Sequence, residues 1–113
     1  MAAAVTAAPA AAEAAGDKCA ITVEFGSHCC GIDRAVFADV SAFLEASPLV
    51  ADRSEKAWGM EGEQTICVQT KSAADAASLY AQLKARLPAR ARAGYIKVSQ
   101  AGGAKFQIDP GKF

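Results

Sequence analysis

The sequence predicts an α+β fold: a four-stranded antiparallel sheet with two helices on one face and a short additional strand at the C-terminal end. Three observations carry this. Apolar and polar residues alternate in separate stretches, two apolar stripes at helical spacing lie between those stretches, and glycine or proline marks most junctions.

Cys19, Ile21, Val23 and Phe25 alternate with Ala20, Thr22 and Glu24, the period of a half-buried strand over 19–26. Val36, Phe37, Val40, Phe43 and Leu44 then recur at helical spacing behind Asp33, a good N-cap, so a helix is expected over 33–46, stopping ahead of Pro48. Residues 50–59 mix Asp52, Arg53, Ser54, Glu55 and Lys56 with Ala57 and Trp58, a composition that an edge strand tolerates. Met60 to Glu63 reads as a hairpin turn into a strand over 64–70, where Ile66 and Val68 alternate with Thr65, Cys67 and Gln69.

Ser72 followed by Asp75 begins a second helix, whose buried stripe is Ala76, Leu79, Tyr80, Leu83 and Leu87 and whose end is Pro88. A basic loop over 89–94 leads into a strand over 95–100 with Ile96 and Val98 on one face. After the turn at 101–104, Phe106 and Ile108 alternate with polar residues, as expected of a short fifth strand pairing back on the fourth. The βαββαβ order resembles the ferredoxin-like split-βαβ arrangement, which implies that the first and third strands are neighbours.

The chain of 113 residues has room for one domain with a real core. Twelve basic residues balance twelve acidic ones, so no global field favours nucleic acid or an anionic membrane. Hydrophobic residues make up 52%, but alanine inflates the figure, and no apolar run approaches the roughly 20 residues that span a bilayer. Residues 1–16 hold ten alanines and no Leu, Ile or Phe, so 1–18 is read as an Ala-rich leader or signal-peptide remnant, with a single domain over 19–113. Ala12-Glu13-Ala14 resembles a small-residue cleavage region, which favours export to a bacterial periplasm; a cytoplasmic protein with an alanine-rich leader is the alternative.

The residues with most chemistry lie where the first strand hands over to the first helix, in Gly26-Ser27-His28-Cys29-Cys30-Gly31. Cys19 shares an alternation with Ile21 and is expected to be core filler. Cys67, on the third strand, is expected near the loop. Thiolates with an imidazole suit a soft ion, so His28, Cys29, Cys30 and Cys67 form a candidate site for Cu or Zn. Disulfides are the competing use: Cys29 or Cys30 with Cys67, or a Cys29–Cys30 ring. A third use is anion binding, with Gly26, Ser27 and Gly31 framing a helix start that carries Arg34.

Two families share this element order. Heavy-metal-associated domains place Gly-Met-x-Cys-x-x-Cys at the same junction, and the chain resembles them at Gly26 and Cys29, with Ser27 in place of the methionine and Ile32 in place of the second cysteine. Acylphosphatases cradle a phosphate in the equivalent loop with an arginine, but this chain lacks their glycine-rich loop and contains no asparagine.

No Ser-His-Asp arrangement or Cys-x-x-Cys motif is present, and a non-enzymatic role is expected. Glu61 and Glu63 are read as turn solvation, and Lys84, Arg86, Arg90 and Arg92 as a solvated helix end rather than a nucleic-acid patch. The open sheet face lacks the stacking aromatics of an RNA-recognition motif. Trp58, Met60 and Tyr95 are the candidate interaction residues, with a homodimer through the open sheet face or a protein partner as the expected mode.

Overall fold

Seven elements follow the expected order in the computed structural model, which describes residues 19–110; residues 1–18, where a leader is expected, and residues 111–113 lie outside the described residues. The elements are β1 (Ile21–Gly26), α1 (Arg34–Ala46), β2 (Val50–Trp58), β3 (Glu63–Thr70), α2 (Ala73–Arg86), β4 (Tyr95–Gln100) and β5 (Lys105–Ile108). All strand pairs are antiparallel, and the sheet order is β2-β3-β1-β4-β5. β1 is therefore central, with β3 and β4 on its flanks. The short fifth strand pairs with β4, from Ile96 opposite Ile108 to Ser99 opposite Lys105.

Local chemistry explains the helix boundaries. Asp33 Oδ1 accepts from the Val36 N–H at 3.1 Å and Ser72 Oγ accepts from the Asp75 N–H at 3.0 Å, each satisfying a donor that the first helical turn leaves open. Pro48 and Pro88 lie just past the C-termini, where the chain has turned extended at Ser47 and Leu87.

Packing follows the two periodicities. Ile21, Val23 and Phe25 on β1, Ile66 and Val68 on β3, and Ile96 and Val98 on β4 form one buried cluster with Val40 and Leu44 of α1 and Ala76, Leu79 and Leu83 of α2. Burying each large aliphatic or aromatic side chain is worth about 1.5–3 kcal/mol. These residues set which sheet face is inner, because slipping a strand by one residue would expose its whole apolar set. Phe37 packs edge-on against Phe25 with centroids 5.2 Å apart, and half-buried Tyr80 does the same with Phe106 at 5.6 Å.

The cations at the end of α2 take separate directions. Arg86 makes a two-pronged ion pair with Asp39 of α1, both contacts 2.9 Å, and its guanidinium lies 4.9 Å from the Phe43 ring. Lys84 sits 5.7 Å from the Phe106 ring. Arg86 holds the Asp39 carboxyl below its ordinary range, chiefly through this hydrogen bond.

Cys19 corrects the sequence reading. It is buried, as expected, but it is bonded to Cys67 rather than packed as a free thiol. Strand alternation extends only as far as the paired residues, and pairing begins at Ile21. The chain bends at Ala20, which packs against the core, and Cys19 reaches Cys67 on the face opposite Ile66 and Val68, with Cα atoms 5.3 Å apart.

Candidate functional site

The strand-to-helix junction is held by three glycines and the carboxylate of Asp33. Gly26, the last residue of β1, stands opposite Tyr95, and a Cβ at Gly26 would come within 2.2 Å of the Tyr95 ring. The ring thus lies directly over the glycine, an arrangement that lets an aromatic cover exposed backbone in a sheet. Gly94, with φ +64°, approaches still more closely: a Cβ there would lie 1.9 Å from the Gly26 carbonyl oxygen and 3.0 Å from that of Gly31. Here the end of β1, the cysteine loop and the segment before β4 meet backbone to backbone.

Asp33 joins the same segments. Its carboxylate is buried, and while Oδ1 caps α1, Oδ2 accepts from the Arg92 N–H at 2.7 Å. The Ala91 N–H donates to the Asp109 carbonyl at 3.2 Å, and Ala91 is buried. The segment over 89–94, expected as a basic loop, is therefore pinned at Ala91, Arg92 and Gly94.

Cys29 and Cys30 are bonded to each other, one of the pairings that sequence left open. Both are exposed. They wall a cavity of about 420 Å³ together with His28, Gly31, Arg92 and Gly94. The cavity is lined mainly by apolar atoms, and Arg92 and His28 are the titratable residues among its lining. His28 Nε2 lies 3.6 Å from Asp109 Oδ1, and its ring centroid is 5.6 Å from that of Tyr95.

The four residues expected as metal ligands are not gathered. Cys67 is bonded to Cys19 and stands opposite Thr22, in the body of the sheet, whereas the cysteine loop lies beyond the end of β1. Among the described residues, no group of three or more His, Cys, Asp and Glu is placed to hold an ion. The two residues that carry the likeness to heavy-metal-associated domains have other roles: Gly26 lies beneath Tyr95, and Cys29 is bonded to Cys30.

The residues expected to bind an anion are turned to internal use. Ser27 Oγ accepts from the Gly31 N–H at 3.0 Å and donates to Glu61 Oε1 at 3.4 Å, which brings a carboxylate to the loop. The positive end of α1 already faces the buried Asp33 carboxylate. Arg34 extends toward the hairpin at Gly62, where an added Cβ would meet its guanidinium at 2.8 Å.

The interaction candidates differ in character. Met60 is 96% exposed at the hairpin turn. Trp58 is 38% exposed, and its indole N–H donates to Thr65 Oγ1 at 2.9 Å across the open face. Tyr95 is half-buried, covering Gly26 and donating its hydroxyl to Glu24 Oε2. Glu63, read as turn solvation, is instead buried, and its carboxylate accepts from the Glu61 N–H at 2.8 Å beneath Gly59.

The Glu24 hydrogen bond, then burial, then the charges of Glu24 and Glu63 push the Tyr95 phenol from 10.0 up to about 12. The neutral phenol is the stabilised form, so its contribution is complete below the unfolded value near 10 and is lost as pH rises through about 12. In an ultraviolet phenolate titration referenced to Tyr95→Phe, the Tyr95 step is expected near pH 12, and Glu24→Gln should bring it back toward 10. A step at 10 in the unsubstituted chain would show that the hydrogen bond to Glu24 is not formed in solution.

Sequence reading missed Arg92, Gly94 and Asp109 as neighbours of the loop. Gly94 alone carried a signal, a glycine immediately before a strand; the other two depend on how distant segments return. No family model matches the chain, and no curated protein or solved structure matches it.

Proposed function

We infer that this chain is an exported, non-enzymatic interaction domain whose cysteines are structural, with the exposed Cys29–Cys30 loop as its recognition surface. The observation that carries this reading is the use of all four cysteines in bridges: one ties the start of β1 to β3, and the other forms a cavity wall. Stable bridges belong to oxidising compartments, which favours the exported reading. The fold is read as ferredoxin-like, supported by β1 lying between β3 and β4 with β2 outermost beside β3.

The cavity adds a recognition mode. A cavity of about 420 Å³ with a mainly apolar lining suits a small ligand or a partner side chain with an apolar body.

Non-reducing peptide mapping by mass spectrometry of natively produced protein tests the role of the cysteines. Cys19 and Cys67 peptides should be linked, and the peptide holding Cys29 and Cys30 should lack two hydrogens. Titration with Cu(I) and with Zn(II), before and after mild thiol reduction, forms the second arm. Free thiols in the native protein, or one equivalent of ion bound and lost in Cys29→Ser, would replace the structural reading with a soft-metal one.

A further inference from the structure

The outer strand β2 is nine residues long, contains no proline, and forms one edge of the sheet. From Ser54 to Trp58 every residue is exposed. An edge of this length presents unpaired N–H and C=O groups, which proteins ordinarily protect with proline, shortness, bulges or charged side chains, and here the one irregularity lies at the start of the strand, between Val50 and Asp52. The opposite edge is protected by shortness, since β5 has four residues. β2 does carry charges, but they are of both signs and arranged about Ser54, with Asp52 and Arg53 before it and Glu55 and Lys56 after it, so they complement rather than repel a second antiparallel copy.

We propose that β2 is a self-pairing edge, through which two copies of this chain join their sheets antiparallel about a two-fold axis at Ser54. In that register Arg53 stands opposite Glu55 of the second copy, Asp52 opposite Lys56, and Ser54 opposite Ser54. The pairs also agree in face. Arg53 and Glu55 stand beside Val68 and Ile66 on the inner face, and Asp52 and Lys56 beside Gln69 and Thr65 on the outer one. Residues directly opposite in an antiparallel pair share a face, so each charge meets its complement on the same side.

Other registers fail. Sliding by one residue in one direction sets Arg53 opposite Lys56, and in the other direction Asp52 opposite Glu55. Sliding by two sets Glu55 opposite Glu55, or Arg53 opposite Arg53. Like charges directly opposite are destabilising, so the strand carries its own register signal.

Within one chain Arg53 already lies 3.3 Å from Glu55 Oε2 and donates to the Ser41 carbonyl at 3.3 Å, so its guanidinium is held on the inner face. The irregularity between Val50 and Asp52 limits the paired stretch to Asp52–Lys56. The result is an isologous contact that makes a continuous ten-stranded sheet from two five-stranded ones. The proposal rests on the reading of the chain as an interaction domain, and it names the partner as a second copy.

Sedimentation equilibrium of the full chain over a concentration series tests it, with hydrogen exchange of β2 as a second measurement. The wild type should dimerise, and alternate β2 amides should gain protection as concentration rises. Arg53→Glu should weaken the dimer by about tenfold or more, because it turns two attractive pairs repulsive. Adding Glu55→Arg should restore it, since the swapped charges are again complementary. Lys56→Asp and its partner swap Asp52→Lys repeat the comparison on the outer face, should the inner-face variant fold poorly.

A monomeric wild type, a dimer indifferent to both single changes, or a swap that fails to restore association would each overturn the proposal. Loss of the dimer on Tyr95→Ser alone would move the contact to the open face and equally overturn it. A monomer whose two bridges are intact by mass would refute edge pairing alone, leaving the structural reading of the cysteines standing.

Discussion

Replacing Gly94 with alanine is expected to destabilise the protein by about 3 kcal/mol or more, although the change adds one methyl group. A left-handed backbone at a residue with a side chain costs about 1–2 kcal/mol, and forcing an extra carbon into packed surroundings costs about 1–3 more. Both apply at Gly94, whose φ is +64° and whose Cβ would lie 1.9 Å from the Gly26 carbonyl oxygen. That neighbour is backbone and cannot rotate away. The strain should propagate to Gly31, and so to the cavity wall at Cys29 and Cys30. Urea unfolding would measure the loss, and the His28 ring resonances would report the shift of the loop. Gly102 is the control: its φ is +103° but nothing lies within 4 Å of an added Cβ, so Gly102→Ala carries only the backbone part. A loss at Gly94 no greater than the ~1–2 kcal/mol of a left-handed backbone would show that its close approach to Gly26 plays no part in stability.

Removal of the Cys19–Cys67 bridge by the paired change to alanine should cost about 4 kcal/mol, the chain-entropy value for a separation of 48 residues. The bridge restrains the unfolded chain across β1, α1, β2 and most of β3. The Cys29–Cys30 bridge joins neighbours and closes almost no loop, so its paired change to alanine should shift stability by less than about 1 kcal/mol. Denaturant unfolding without reductant compares the two. If the vicinal pair proved the more costly to remove, loop closure would not be the source of stabilisation.

The fold was largely legible because its signals are local and repeated. The alternation in β1, β3 and β4, the caps at Asp33 and Ser72 and the stop at Pro88 each involve residues close in the chain. Charged β2 was legible as an edge because no buried strand would carry Asp52, Arg53, Glu55 and Lys56 in succession.

The site was less legible. Extending the alternation back to Cys19 assigned it to the core as a free thiol, but the bend at Ala20 takes it to Cys67. Glu63 looked like an exposed turn residue because its charge suggested water. In the folded chain it is buried, satisfying the Glu61 N–H.

The sequence by itself determined the order of elements, their inner faces and the location of the cysteine loop, since periodicity and capping are set by residues within a turn or two of one another. Only the tertiary structure decided the partners: Cys67 for Cys19, Tyr95 over Gly26, Asp33 joined to Arg92, and Gly94 wedged against Gly26 and Gly31. The physical reason is separation along the chain. Each of these contacts joins segments tens of residues apart, and its identity follows from strand register and loop return, which no local pattern of residues encodes.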